Sequence, residues 1–235
     1  MAHLPAHPIA SILVLAATLS TAPALHAQSS CSSDGTARPI ALVERFINAD
    51  CENCWSDART RATGRGEIAL DWVLPGSRGD DAPLAVVARQ EGLQRLVALK
   101  QAVPAQASTI RTPVDKRPHA LRVAHGLAFN GYLGASIELK PGSGAPWSAW
   151  LALVETVPAG IENSPVERNL VRNVLQPSWD STRPLSKRDR AKLSETRSMN
   201  IPAGANLDRL RVIGWVEDAR GRIVAAAESR CGASK

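Results

Sequence analysis

Aromatic residues make up only 4% of this 235-residue chain, and six of the nine are Trp. Catalytic signatures are missing too. No G-x-S-x-G elbow, glycine-rich phosphate loop or defensible pair of carboxylates is present, so no motif argues for a serine hydrolase, a nucleotide enzyme or a glycosidase. Beyond residue 27 neither a CxxC…CxxC pair nor an HxxxH pattern occurs, and no metal-ligand set is assigned. No internal repeat is present. Residues 1–27 contain no Asp, Glu, Lys or Arg. Ile9–Ala24 is their apolar core, too short to span a bilayer comfortably but suited to a signal peptide. Ala22-Pro23-Ala24 has the small-x-small form that a signal peptidase reads, and Leu25-His26-Ala27 is a looser alternative. No other apolar run is long enough to cross a membrane. The expectation is an exported, periplasmic or secreted chain with 1–27 removed and no integral membrane segment.

What is present is a basic balance, a formal net charge of +6, with basic residues scattered except for a concentration over Arg183–Arg197. Scattered charge is a solvated face, so no nucleic-acid partner is expected. Four cysteines remain after cleavage: Cys31, Cys51, Cys54 and Cys231. An even number in an exported chain points to two disulfides, for which three pairings exist. Cys51 and Cys54 form the local pair. Cys31 and Cys231 then lie at the two ends, where a bridge would clamp termini that otherwise fray; pairing of Cys31 between molecules is the competing reading. In the chain-entropy model a loop of that length removes on the order of 4–5 kcal/mol of unfolded-state entropy.

Cys51-Glu52-Asn53-Cys54 closes the strand-like run Arg38–Asp50 and precedes WSDARTRA, which reads as a helix start. A CxxC at a strand-to-helix turn is the working end of a thiol–disulfide oxidoreductase, because the helix's free N–H groups and dipole favour a thiolate. Cys51 is the candidate nucleophile and Cys54 the resolving thiol. The acidic neighbours Asp50 and Glu52 oppose thiolate formation.

The chain divides by pattern. Up to about residue 118 it reads as strand, helix, strand, helix: a strand over Ile40–Ile47, a helix from Cys54 to about Thr63, a strand over Glu67–Leu74, and a helix over Pro83–Val103. Such alternation implies parallel pairing and an α/β lobe. Over 119–232 short apolar runs follow one another: Trp147–Thr156, Leu210–Glu217 and Arg222–Ser229, the last two flanking the turn Asp218–Gly221. Val166–Leu175 fits both helical and strand periods. A charged mobile insertion is expected at about 181–198. The expected fold class is therefore α+β, with an α/β lobe at 36–118 and an antiparallel β-sandwich at 119–232.

The stretch ALVERFINADCENCWSDA resembles the start of a family of exported thioredoxin-like proteins of uncharacterised function. IALDWVLP, Ala88-Arg89-Gln90, Thr112-Pro113 and ENSPVERNLVRNVL are similar to its following landmarks. The resemblance implies a thioredoxin-like first lobe, favours a strand for Val166–Leu175, and implies a cis bond at Thr112-Pro113 facing the CxxC, where the Thr112 backbone would hold a substrate strand. Protein thiols or disulfides are the implied partners, and no cofactor is implied. Three functions stay open: thiol–disulfide exchange through Cys51 and Cys54, a non-catalytic binding or scaffold protein with a structural CxxC disulfide, and a copper carrier using Cys51 and Cys54 with His119 or His125.

Overall fold

The computed structural model describes residues 31–117, 119–140, 147–177, 179 and 192–231. The expected signal peptide and most of the expected charged insertion lie outside these residues. The described chain is dominated by strands: β1 (Cys31–Ser32), β2 (Ala41–Asn48), β3 (Glu67–Leu74), β4 (Ala107–Pro113), β5 (Ala120–Phe129), β6 (Tyr132–Lys140), β7 (Trp147–Val157), β8 (Arg168–Leu175), β9 (Leu193–Asn200), β10 (Leu210–Asp218), β11 (Ile223–Glu228) and β12 (Arg230–Cys231). Among the described residues the single α-helix is α1 (Glu91–Ala98). The strands form a five-stranded sheet, β12-β1-β5-β6-β9, and a seven-stranded sheet, β11-β10-β7-β8-β3-β2-β4.

This corrects the expected fold class. The chain is a β-sandwich-like, mostly β protein, not an α+β thioredoxin-like one. The early strands β2, β3 and β4 continue the same sheet as β7, β8, β10 and β11, so the larger sheet crosses position 118 without a break. Strand β2 does pair in parallel with β3, as the alternation implied, and β3 meets β8 in parallel at Asp71–Leu170. All other pairings among the described residues are antiparallel.

The helices fail for identifiable reasons. After Cys54 the segment SDARTRATG is polar and carries no apolar stripe to bury, so helix formation has no tertiary support. It forms turns instead: Asp57 Oδ1 accepts the Arg59 N–H at 2.9 Å, and the Thr60 N–H reaches the Asp57 carbonyl at 2.9 Å. Over Pro83–Val103 only the second half is helical. The first half is broken by a short 3-10 turn at Ala85–Val87 and by extended backbone at Ala88, and the Arg89 N–H donates to the Val73 carbonyl at 2.8 Å. That bond ties the segment to β3 and ends any continuous helix. The expected insertion at 181–198 is corrected at its far end, where Leu193–Asn200 is a strand paired with β6. Val166–Leu175 is strand over Arg168–Leu175, and the β10–β11 hairpin turns at Asp218–Gly221.

One core lies between the sheets, with Val123, Ile137 and Leu139 from the smaller sheet meeting Leu151, Leu153 and Val212 from the larger. A second occupies the other face of the larger sheet, where Leu96 of α1 joins Phe46, Leu70, Trp72, Trp150 and Trp215 in one buried cluster. Strand β2 is buried along nearly its whole length. That burial forces the charged Glu44 and Arg45 in its middle to find partners inside the protein.

Candidate functional site

Cys51 and Cys54 form a disulfide, closing a ring around a three-residue 3-10 turn, Glu52–Cys54, at the end of β2. The Cys54 N–H donates to the Cys51 carbonyl at 3.2 Å. Both the candidate nucleophile Cys51 and the candidate resolving Cys54 are partly exposed. They line an open cleft of about 660 Å³ with Asp50, Asp57, Arg59 and Gln106.

The cleft carries fixed negative charge. The Asp50 carboxylate accepts the Ser77 hydroxyl at 2.8 Å, the Ser77 N–H at 2.7 Å and the Arg78 N–H at 3.2 Å. These bonds hold its carboxyl below the ordinary aspartate value. Gly76 is required for that approach, since a Cβ there would stand 2.1 Å from Asp50 Oδ1. The Arg59 guanidinium likewise holds Asp57 low. With no α-helix behind Cys51, the dipole contribution that would favour a thiolate is lost, and the carboxylates oppose one.

Thr112 and Pro113 do not face the cysteines. In the β2–β4 ladder Pro113 pairs with Ala41 and Thr112 with Leu42, at the opposite end of β2 from Cys51. The end of β4 beside the ring is Ala107, opposite Ile47. The two histidines also go elsewhere: His119 packs edge-on against Trp147, and His125 stands beside Cys31 and Cys231. Cys31 and Cys231 form the terminal disulfide, with β1 and β12 in antiparallel register at that pair.

Behind the CxxC turn, Trp55 is tied inward. Its indole N–H donates to the Glu162 carbonyl at 2.8 Å, its own carbonyl accepts from Arg168 Nη2 at 2.7 Å, and the Arg168 guanidinium lies 4.6 Å from the ring centre. Arg168 also donates to Asp71 at 2.8 Å, with both side chains at most 1% exposed. Arg45 joins this group at 3.4 Å from Asp71, and burial, with Arg168 close by, pushes its guanidinium below its ordinary value.

On the other sheet face, Arg95 of α1 donates twice to Glu44 at 2.8 Å and stands 2.7 Å from Glu217. Its guanidinium lies 5.1 Å from the ring centres of both Trp150 and Trp215. A third buried pair joins Arg172 to Glu155 at 2.8 Å. The sequence reading missed all three groups. The available signal was opposite charge placed inside otherwise apolar strand runs, at Glu44, Arg45, Asp71, Glu155 and Glu217.

Among the described residues no helix is long and apolar enough to cross a membrane. No protein-family model, curated protein or solved structure matches the chain.

Proposed function

We propose that the chain is an exported, non-catalytic binding or scaffold protein in which the Cys51–Cys54 disulfide is a structural staple. The observation that carries this is the docking of Trp55, the residue next to the ring, onto the buried Arg168–Asp71 pair. The ring holds the turn in the shape that presents the Trp55 carbonyl to Arg168. Loss of the ring frees that turn and leaves a buried guanidinium short of an acceptor. The two disulfides are consistent with an oxidising compartment.

The second reading is thiol–disulfide exchange with protein thiols. It is favoured by the partial exposure of both cysteines on the open cleft. One experiment separates the two. In the chain-entropy model a ring of this size contributes about 2 kcal/mol. The double variant Cys51→Ser/Cys54→Ser should therefore lose about that much stability in urea unfolding, and the wild-type pair should stay oxidised in glutathione buffers poised near −200 mV, roughly the secretory-pathway value. A pair that equilibrates with glutathione in that range, in a protein whose double variant is as stable as wild type, rejects the staple and leaves the exchange reading.

A further inference from the structure

We propose that Cys31, Cys231 and His125 form a binding site for a soft d10 cation, Cu(I), once the Cys31–Cys231 disulfide is reduced. The proposal does not depend on the role of Cys51 and Cys54.

The three residues occupy one row across three adjacent strands. Cys31 of β1 is the register partner of Cys231 on β12 and of His125 on β5. Residues directly opposite one another in a sheet project to the same face. The two sulfurs and one imidazole nitrogen accordingly lie within 4.8 Å of one another. Metal–thiolate bonds of about 2.3 Å and metal–imidazole bonds of about 2.0 Å can span such a group with one ion.

His125 is prepared for ligation. It is 4% exposed, and its Nδ1 lies 2.9 Å from the Gly126 carbonyl. Donation of an Nδ1–H to that carbonyl leaves Nε2 with its lone pair free, the arrangement that metal-ligating histidines use. Nε2 is buried and has no hydrogen-bond partner among the described residues. Two thiolates and one imidazole match Cu(I) in softness and in number. Two thiolates with Cu(I) leave one net negative charge on the site.

The chemistry balances with a dithiol as reductant. Its thiolate attacks the sulfur of the exposed Cys231, forming a mixed disulfide and releasing Cys31 as a thiolate. The second thiol of the reductant then displaces Cys231 and closes a cyclic disulfide. The protein gains two electrons and two protons, and the dithiol loses both. Binding of Cu(I) then releases the two thiol protons to solvent.

The test uses the full chain carrying Cys51→Ser and Cys54→Ser, so that only the terminal pair supplies thiols. The protein is reduced with dithiothreitol, freed of it without oxygen, and titrated with Cu(I) against bicinchoninate. The expected result is one Cu(I) per reduced chain and none per oxidised chain. X-ray absorption at the copper edge should show two sulfurs and one histidine nitrogen. His125→Ala should weaken binding on the order of tenfold or more. In the chain with Cys51 and Cys54 intact, the same His125→Ala change should weaken one of the bound Cu(I) equivalents by the same factor. Equal uptake by the oxidised and reduced proteins overturns the proposal, as does a spectrum without histidine scattering. So does a reduced chain that unfolds and is not refolded by Cu(I).

Discussion

Arg95→Met tests whether the buried cation between α1 and the larger sheet holds the two ends of that sheet together. The side chain is 1% exposed, donates twice to Glu44, stands 2.7 Å from Glu217, and lies over both Trp150 and Trp215. Methionine keeps the apolar stem and removes the charge. Deleting one partner of a buried ion pair costs about 3–5 kcal/mol, because the remaining charge stays buried without compensation. Each desolvated ring contact is worth about 2 kcal/mol on its own. The same guanidinium makes all of these contacts, so the contributions overlap, and the expected loss is about 4 kcal/mol. For a domain of this size that lowers Tm by about 8–16 °C. Urea unfolding followed by tryptophan fluorescence reads the change directly, since Trp72, Trp150 and Trp215 all line this core. The triple variant Arg95→Met/Glu44→Gln/Glu217→Gln removes the uncompensated charge, and each Gln keeps a carbonyl acceptor for the indole N–H of Trp72 or Trp215. It should recover at least half of the loss. A single-variant loss under about 1 kcal/mol, or a triple variant no more stable than the single one, refutes the reasoning.

Three further outcomes are expected. Arg168→Ala leaves Asp71 buried beside an incompletely bonded Arg45 and undocks Trp55; the loss should be about 3–5 kcal/mol in urea unfolding, with a red shift in Trp55 fluorescence. Gly214→Ala places a Cβ 2.6 Å from Val123 and 3.0 Å from Ile137, where the two sheets approach, so it should cost about 1–3 kcal/mol in thermal melting. The Asp50 carboxyl is held below its ordinary value of 3.8 by Ser77 and Arg78, so its contribution is complete at neutral pH and is lost as pH falls below 3.8 through the folded-state value. Amide exchange at Ser77 should accelerate there relative to the intrinsic rate, and Asp50→Asn should remove that pH dependence.

The sequence by itself determined several of the strands and one hairpin. Period-two alternation in EIALDWVL, the run WSAWLALVET and the turn Asp218–Gly221 are local signals, and each became the strand or hairpin it describes. The parallel β2–β3 pair and the terminal disulfide were legible for the same reason: one follows from element order, the other from cysteine count and position. Only the tertiary structure decided which charges meet and what surrounds the CxxC. Glu44 and Arg95 are 51 positions apart, and Asp71 and Arg168 are 97 apart. Their pairing depends on sheet order and register, which no local pattern encodes. The segment after Cys54 looked like a helix start because it follows a strand and carries capping-type residues. It lacks an apolar face, however, and a helix with nothing to bury has no reason to form. His125 looked like a partner for the CxxC until the register of β5 set it opposite Cys31. A side chain's neighbours across a sheet are fixed by hydrogen-bond register between strands far apart in the chain, so the sequence supplied the chemical groups and the fold chose their company.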